Sequence, residues 1–179
     1  MSSVSSQHSA RAVYDLNATL WTNKDEYFFR DRIIQPILQT GPHCVSTTLA
    51  MLTGQRPEDF QGKMNTQDPF SWSQMLKLYG MKLAYCPTDV RKLKFYMDEL
   101  VYMNDLFALS YYTTLDSNDI LGDPDSKGWV TGSHIVLLHR DQILDLATGT
   151  TTPAFEHYCN NYLTTRIFRV VPQNHNRGL

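Results

Sequence analysis

With 179 residues, 42% of them apolar and 19% charged, the chain has the length of one domain with a sizeable core and is too apolar for global disorder. A net charge of -2 gives no excess of basic residues to hold nucleic acid. No apolar run approaches the roughly 18 residues needed to cross a bilayer, so no membrane partner is expected. The opening MSSVSSQHSARAVYD lacks the apolar stretch of a secretory leader. Cys44, Cys86 and Cys159 form an odd, widely spaced set without a CxxC, which predicts free thiols and a cytoplasmic location.

Residues 1–12 are serine-rich and read as a flexible tail, residues 13–172 as a single domain and residues 173–179 as a second tail. Thr22 can cap a helix with Asp25 and Glu26 in its first turn, where the helix dipole favours acids. Pro36 and Pro42 keep residues 35–43 non-helical. From Cys44 the pattern turns helical. Val45, Thr48, Leu49 and Leu52 recur at threes and fours, and Gly54 stands where a left-handed residue closes the helix. A second helix is predicted over 70–79, between Asp68-Pro69 and Gly80. Residues 81–86 alternate as a strand. Thr88-Asp89 then opens a helix to about Leu100, with Val90, Leu93, Tyr96, Met97 and Leu100 on one stripe.

Residues 106–113, LFALSYYT, read as a buried strand, with Tyr111 and Tyr112, like Trp129, assigned to the core. The polar stretch 115–128 is a loop of a length uncommon without a role, such as a lid or a substrate-binding edge. Asn118, Asp123 and Asp125 in it lack the regular spacing and closing glutamate of a cation loop. Residues 133–139 and 142–146 read as paired strands about a turn at Arg140-Asp141. Pro153 starts a short helix to about Leu163, and 166–171 form a last strand. Helices first and then mostly strands make an α+β layout.

A thiol is mostly protonated at neutral pH unless a helix N-terminus or a histidine lowers its pKa. Cys44 opens a helix, which supplies the first of these. Among the six histidines, His8 and His175 lie in the predicted tails and His157 among polar neighbours in the predicted helix. His43 diverges from Cys44 by about 100° around the turn. His134 and His139 remain, on one strand but on opposite faces. If Arg140-Asp141 is a two-residue loop, Asp145 opposes Val136 and lies diagonal to His134, about 7–8 Å away at the backbone. A three-residue loop would put Asp145 on the other face. His139 has no comparable acid, so the candidate set is Cys44 as nucleophile, His134 as base and Asp145 as orienter. Gln39, or less readily Gln35, can add a side-chain amide that stabilises an oxyanion together with the Cys44 N–H. Cys86, Cys159 and His157 lack zinc-ligand spacing, so neither metal nor cofactor is expected.

Gln39 and Cys44 opening a helix, then Gly132-Ser133-His134 starting a strand and Asp145 ending the next, resemble the papain-like C39 family of cysteine peptidases over about residues 35–171. The glutamine stands one residue closer to the cysteine than is usual there. Val45 and Leu146 stand where the family commonly has glycine and proline. The resemblance implies a papain-like fold whose cysteine-bearing helix packs on an antiparallel sheet carrying the histidine and the acid. It also implies Cys44 as nucleophile, His134 as general base and acid, Asp145 as orienter and Gln39 at the oxyanion hole. The activity expected is a cysteine-dependent hydrolase, a peptidase or amidase acting on a peptide, protein or small amide. Two rivals remain: an acyl or peptidyl transferase with the same acyl-enzyme, and a binding module that keeps the fold without the chemistry.

Overall fold

A computed structural model describes residues 25–41, 43–113 and 133–179. The predicted tail 1–12, Thr22, Pro42, the 115–128 loop, Trp129 and Gly132 lie outside the described residues. Six strands form one antiparallel sheet: β1 (Met81–Cys86), β2 (Leu106–Tyr111), β3 (His134–His139), β4 (Gln142–Asp145), β5 (Thr150–Pro153) and β6 (Thr164–Pro172), in the order β1-β6-β2-β3-β4-β5. Among the described residues three helices accompany it: α1 (Cys44–Thr53), α2 (Pro69–Lys77) and α3 (Lys94–Met103). The α+β layout expected from the sequence is present.

The period of two along each strand sorts side chains onto two cores. On one face, Ile135 and Leu137 of β3 and Leu144 of β4 pack beneath Val45 and Leu49 of α1 and Leu76 of α2. On the other, Val136, Leu138 and Ile143 meet Met97 and Leu100 of α3. The sheet is therefore covered on both sides, which is why β2 is buried along its whole length.

Asp68 caps α2 by accepting from Phe70 N at 3.0 Å, with Pro69 as the first helical residue. Gly54 closes α1 at φ +73°. The turn at Arg140-Asp141 has two residues, and β3 and β4 pair Leu137 with Leu144 and His139 with Gln142. That is the register the hairpin argument required.

Four expectations need correction. No helix runs through residues 25–33, because backbone groups there serve a buried ion pair: Phe28 N and Phe29 N donate to Asp105, and Glu26 O accepts from Arg169. The third helix starts at Lys94 instead of Thr88. The Asp89 side chain turns the chain by accepting from Val90 N, Leu93 N donates to Tyr162 O, and Val90 is exposed. Pro153 ends an edge strand instead of starting a helix, and two 3-10 turns, Ala154–Glu156 and Tyr158–Asn161, follow it. Residues 173–179 are docked, not a loose tail: Leu179 N donates to Leu83 O at 2.8 Å and Lys82 Nζ donates to His175 O.

Candidate active site

Cys44 is the first residue of α1, and every later residue of that helix is buried. Thr47 and Thr48 donate their hydroxyls to the carbonyls of His43 and Cys44, each at 2.7 Å, so the first turn is held by its own side chains. All three cysteines are free, and only Cys44 keeps exposed surface. Burial pushes the Cys86 and Cys159 thiols up to about 12. Burial also raises the Cys44 thiol above its ordinary value. The N–H groups of Val45 and Cys44 at the helix start pull it down, but by less. The expectation that the helix start lowers this thiol is therefore corrected in direction: desolvation by burial outweighs the helix terminus.

His134 opens β3, and Asp145 ends β4. The diagonal across the hairpin brings His134 Nε2 to 3.2 Å from Asp145 Oδ1, both residues being buried. The other ring nitrogen, Nδ1, makes no hydrogen bond among the described residues. Asp145 is held from three further directions. Ala147 N donates to Oδ1 at 2.9 Å, while His157 Nε2 and the Tyr158 hydroxyl each donate to Oδ2 at 2.8 Å. Burial alone would raise this carboxyl, yet hydrogen bonds from His134, His157, Tyr158 and Ala147 together hold it well below the usual carboxylate range.

Tyr111, the cross-strand partner of His134, is fully buried and meets the imidazole edge-on at 5.8 Å between ring centres. Tyr111 thus lies in the core, as expected, and forms one wall of the histidine's surroundings. His139 Nε2 donates elsewhere, to Arg30 O at 2.7 Å, and takes no part.

Of the four residues singled out by sequence, His134 and Asp145 are joined. Gln39 lies alongside: its N–H donates to Leu146 O at 2.7 Å, one residue beyond Asp145. Its side-chain amide, however, donates to Gly41 O at 3.1 Å, and its Oε1 is buried without a partner. In this arrangement the Gln39 side-chain amide is spent on the turn before Cys44, and Gln35 is exposed. Cys44 is not joined to His134. The cysteine packs with the core beneath α1, whereas His134 shares the parity of Val136 and Leu138 on the opposite face, and no hydrogen bond links the two.

Sequence reasoning missed His157 and Tyr158. It set His157 aside as polar helix surface; in fact it is buried and caps the 3-10 turn Tyr158–Asn161 by accepting from Cys159 N at 3.0 Å. No local pattern signals a contact made twelve residues away across a strand and a turn.

Gly149 fixes how closely the Gln39 segment approaches β4. It has φ +68°, and a Cβ there would stand 3.1 Å from Leu38 Cβ. Gly149→Ala is expected to cost about 1–2 kcal/mol from the left-handed backbone alone and more from displaced Leu38. Urea unfolding would read this as a lowered midpoint with an unchanged m-value.

Among the described residues no group of histidines, cysteines and carboxylates is placed to hold a metal ion. No described helix is long and apolar enough to cross a membrane. Compared with known proteins, the chain matches no family model, no curated protein and no solved structure.

Proposed function

We propose that the chain is a cysteine-dependent hydrolase of the papain-like C39 type, cleaving an amide bond through an acyl-enzyme on Cys44. The observation that carries this reading is the His134–Asp145 pair with Nδ1 left free, on a strand packed under the helix that begins with the one partly exposed thiol. The carboxylate accepts from Nε2–H, so Nδ1 is the basic nitrogen. The thiol proton passes to Nδ1 as sulfur attacks the carbonyl, a step that requires His134, the first residue of β3, to turn from the face it occupies toward the Cys44 side. Apo catalytic contacts are often loose and tighten with substrate bound. The imidazolium returns the proton to the leaving amine, and water then releases the acyl group from the thioester. The N–H groups of Cys44 and Val45 at the helix start, which face the thiol, are the donors this reading assigns to the developing oxyanion. Three free thiols suit a reducing compartment such as the cytoplasm.

A second reading has its own support. A thiol raised by burial and unbonded to His134 is what a non-catalytic binding domain would also show.

One experiment separates them. The protein is mixed with p-nitrophenyl acetate at pH 7.5, and adducts are located by mass spectrometry. The hydrolase reading expects acetyl-Cys44 to form and turn over, with neither Cys86 nor Cys159 modified. In His134→Ala the rate falls about 10²–10⁴-fold, the usual worth of a positioned base. Equal acetylation with and without His134 would leave only the binding domain. A product formed with added amines in preference to water would assign the acyl-enzyme to a transferase.

A further inference from the structure

We propose that His157 and Tyr158 are positioning residues that decide which nitrogen of His134 is basic; the catalytic consequence rests on the hydrolase reading, the positioning itself does not. His157 Nδ1 accepts from Cys159 N, so that nitrogen bears no proton. The ring proton is therefore on Nε2, which donates to Asp145 Oδ2 at 2.8 Å. Tyr158, whose ring is about half exposed, donates its hydroxyl to the same oxygen at the same distance.

Two donors fill Oδ2, and Ala147 N occupies one side of Oδ1. The carboxylate can neither rotate nor take up a proton without breaking one of these bonds. What it presents to His134 is an acceptor only, so His134 must offer Nε2–H, and its neutral tautomer is the one with Nδ1 bare. The His134 contact is the longest of the four at 3.2 Å, so the other donors fix the carboxylate and the imidazole follows. His157 itself is excluded as a base, since both its nitrogens are engaged inside the fold.

The histidine can be dissected, because Asn places its amide near Nδ1 and Gln near Nε2. His157→Asn keeps an acceptor for Cys159 N but loses the donor to Asp145; His157→Gln keeps the donor and loses the cap. The ¹⁵N shifts of ring-labelled protein report each tautomer, and p-nitrophenyl acetate reports acylation of Cys44. Wild type is expected to show Nε2–H alone at both His134 and His157. In a His157→Asn, Tyr158→Phe double variant the His134 signal becomes a mixture of tautomers, and acylation falls about 10²-fold, the scale set by a small misplacement of a catalytic group. His157→Gln recovers most of both.

An unchanged His134 tautomer in a folded double variant overturns the proposal. If that variant does not fold, Tyr158→Phe alone decides: a shift toward mixed tautomers supports it and none overturns it. Should acylation prove independent of His134, the hydrolase reading falls while the tautomer shifts still judge the positioning.

Discussion

Arg169→Ala is expected to destabilise the protein by about 3–5 kcal/mol, the cost of leaving one buried charge without its partner. Arg169 on β6 and Asp105, the residue before β2, are both fully buried, with Nη2 2.6 Å and Nε 3.2 Å from Asp105 Oδ2. Asp105 also accepts from Phe28 N at 3.0 Å and Phe29 N at 2.9 Å, and the guanidinium lies over the Phe28 ring at 4.8 Å. The pair therefore ties the segment before α1 to the middle of the sheet. Removing the arginine strands a carboxylate inside the protein and frees the chain that leads to Gln39 and Cys44.

Asp105→Leu with Arg169→Met is expected to recover part of the loss. It removes both charges but leaves the Phe28 and Phe29 N–H groups without an acceptor. Urea melts of the two single variants and the double variant give the comparison. A single Arg169→Ala variant within about 1 kcal/mol of wild type would show that water reaches the pair.

Asp145→Asn is expected to have the largest effect on chemistry. Four donors converge on this carboxylate, and an amide can accept on only one of its two sides. His157 cannot turn its proton away without losing the bond from Cys159 N, so the amide nitrogen must meet at least one N–H or O–H head-on. His134 is the freest of the four and is expected to switch tautomer, which costs about 10⁴-fold in rate where an imidazole base loses its orienting carboxylate.

The same substitution alters the acid limb of stability. Because the folded carboxyl is held below the unfolded value of about 3.9, its stabilising contribution is complete above that value. It is lost as pH falls further, toward the folded pKa. Wild type is therefore expected to lose melting temperature more steeply than Asp145→Asn between pH 5 and about 2, measured by calorimetry. Parallel slopes would show that the carboxyl titrates alike in both states.

The sequence made the hairpin legible because its ends are unambiguous. A two-residue turn leaves one register, and that register puts His134 and Asp145 on one face. The helix at Cys44 was equally plain from its apolar spacing and Gly54. Side-chain parity also separates the cysteine from the imidazole: α1 packs on Ile135 and Leu137, so His134 points to the other side. Strand β5 escaped notice because Thr150–Pro153 is an exposed edge with no apolar face to alternate. The start of α3 was misplaced because Asp89, a good cap by type, spends its oxygens on Val90 N and Arg91. Long-range partners such as Asp105 for Arg169 and His157 for Asp145 leave no trace in local periodicity.

The residues folded back along β1 bear on self-association. A border strand with open amides and carbonyls invites another chain to extend the ladder, the route into fibrils. Here Leu83 offers neither group: its N–H donates to the Ser73 hydroxyl and its carbonyl is occupied by Leu179 N. The opposite border ends in Pro153, which has no amide hydrogen to share. Shaving away residues 175–179 would uncork the Leu83 carbonyl on that side of the ribbon, and a rise in light scattering of the shortened chain is the expected sign that copies then stack there.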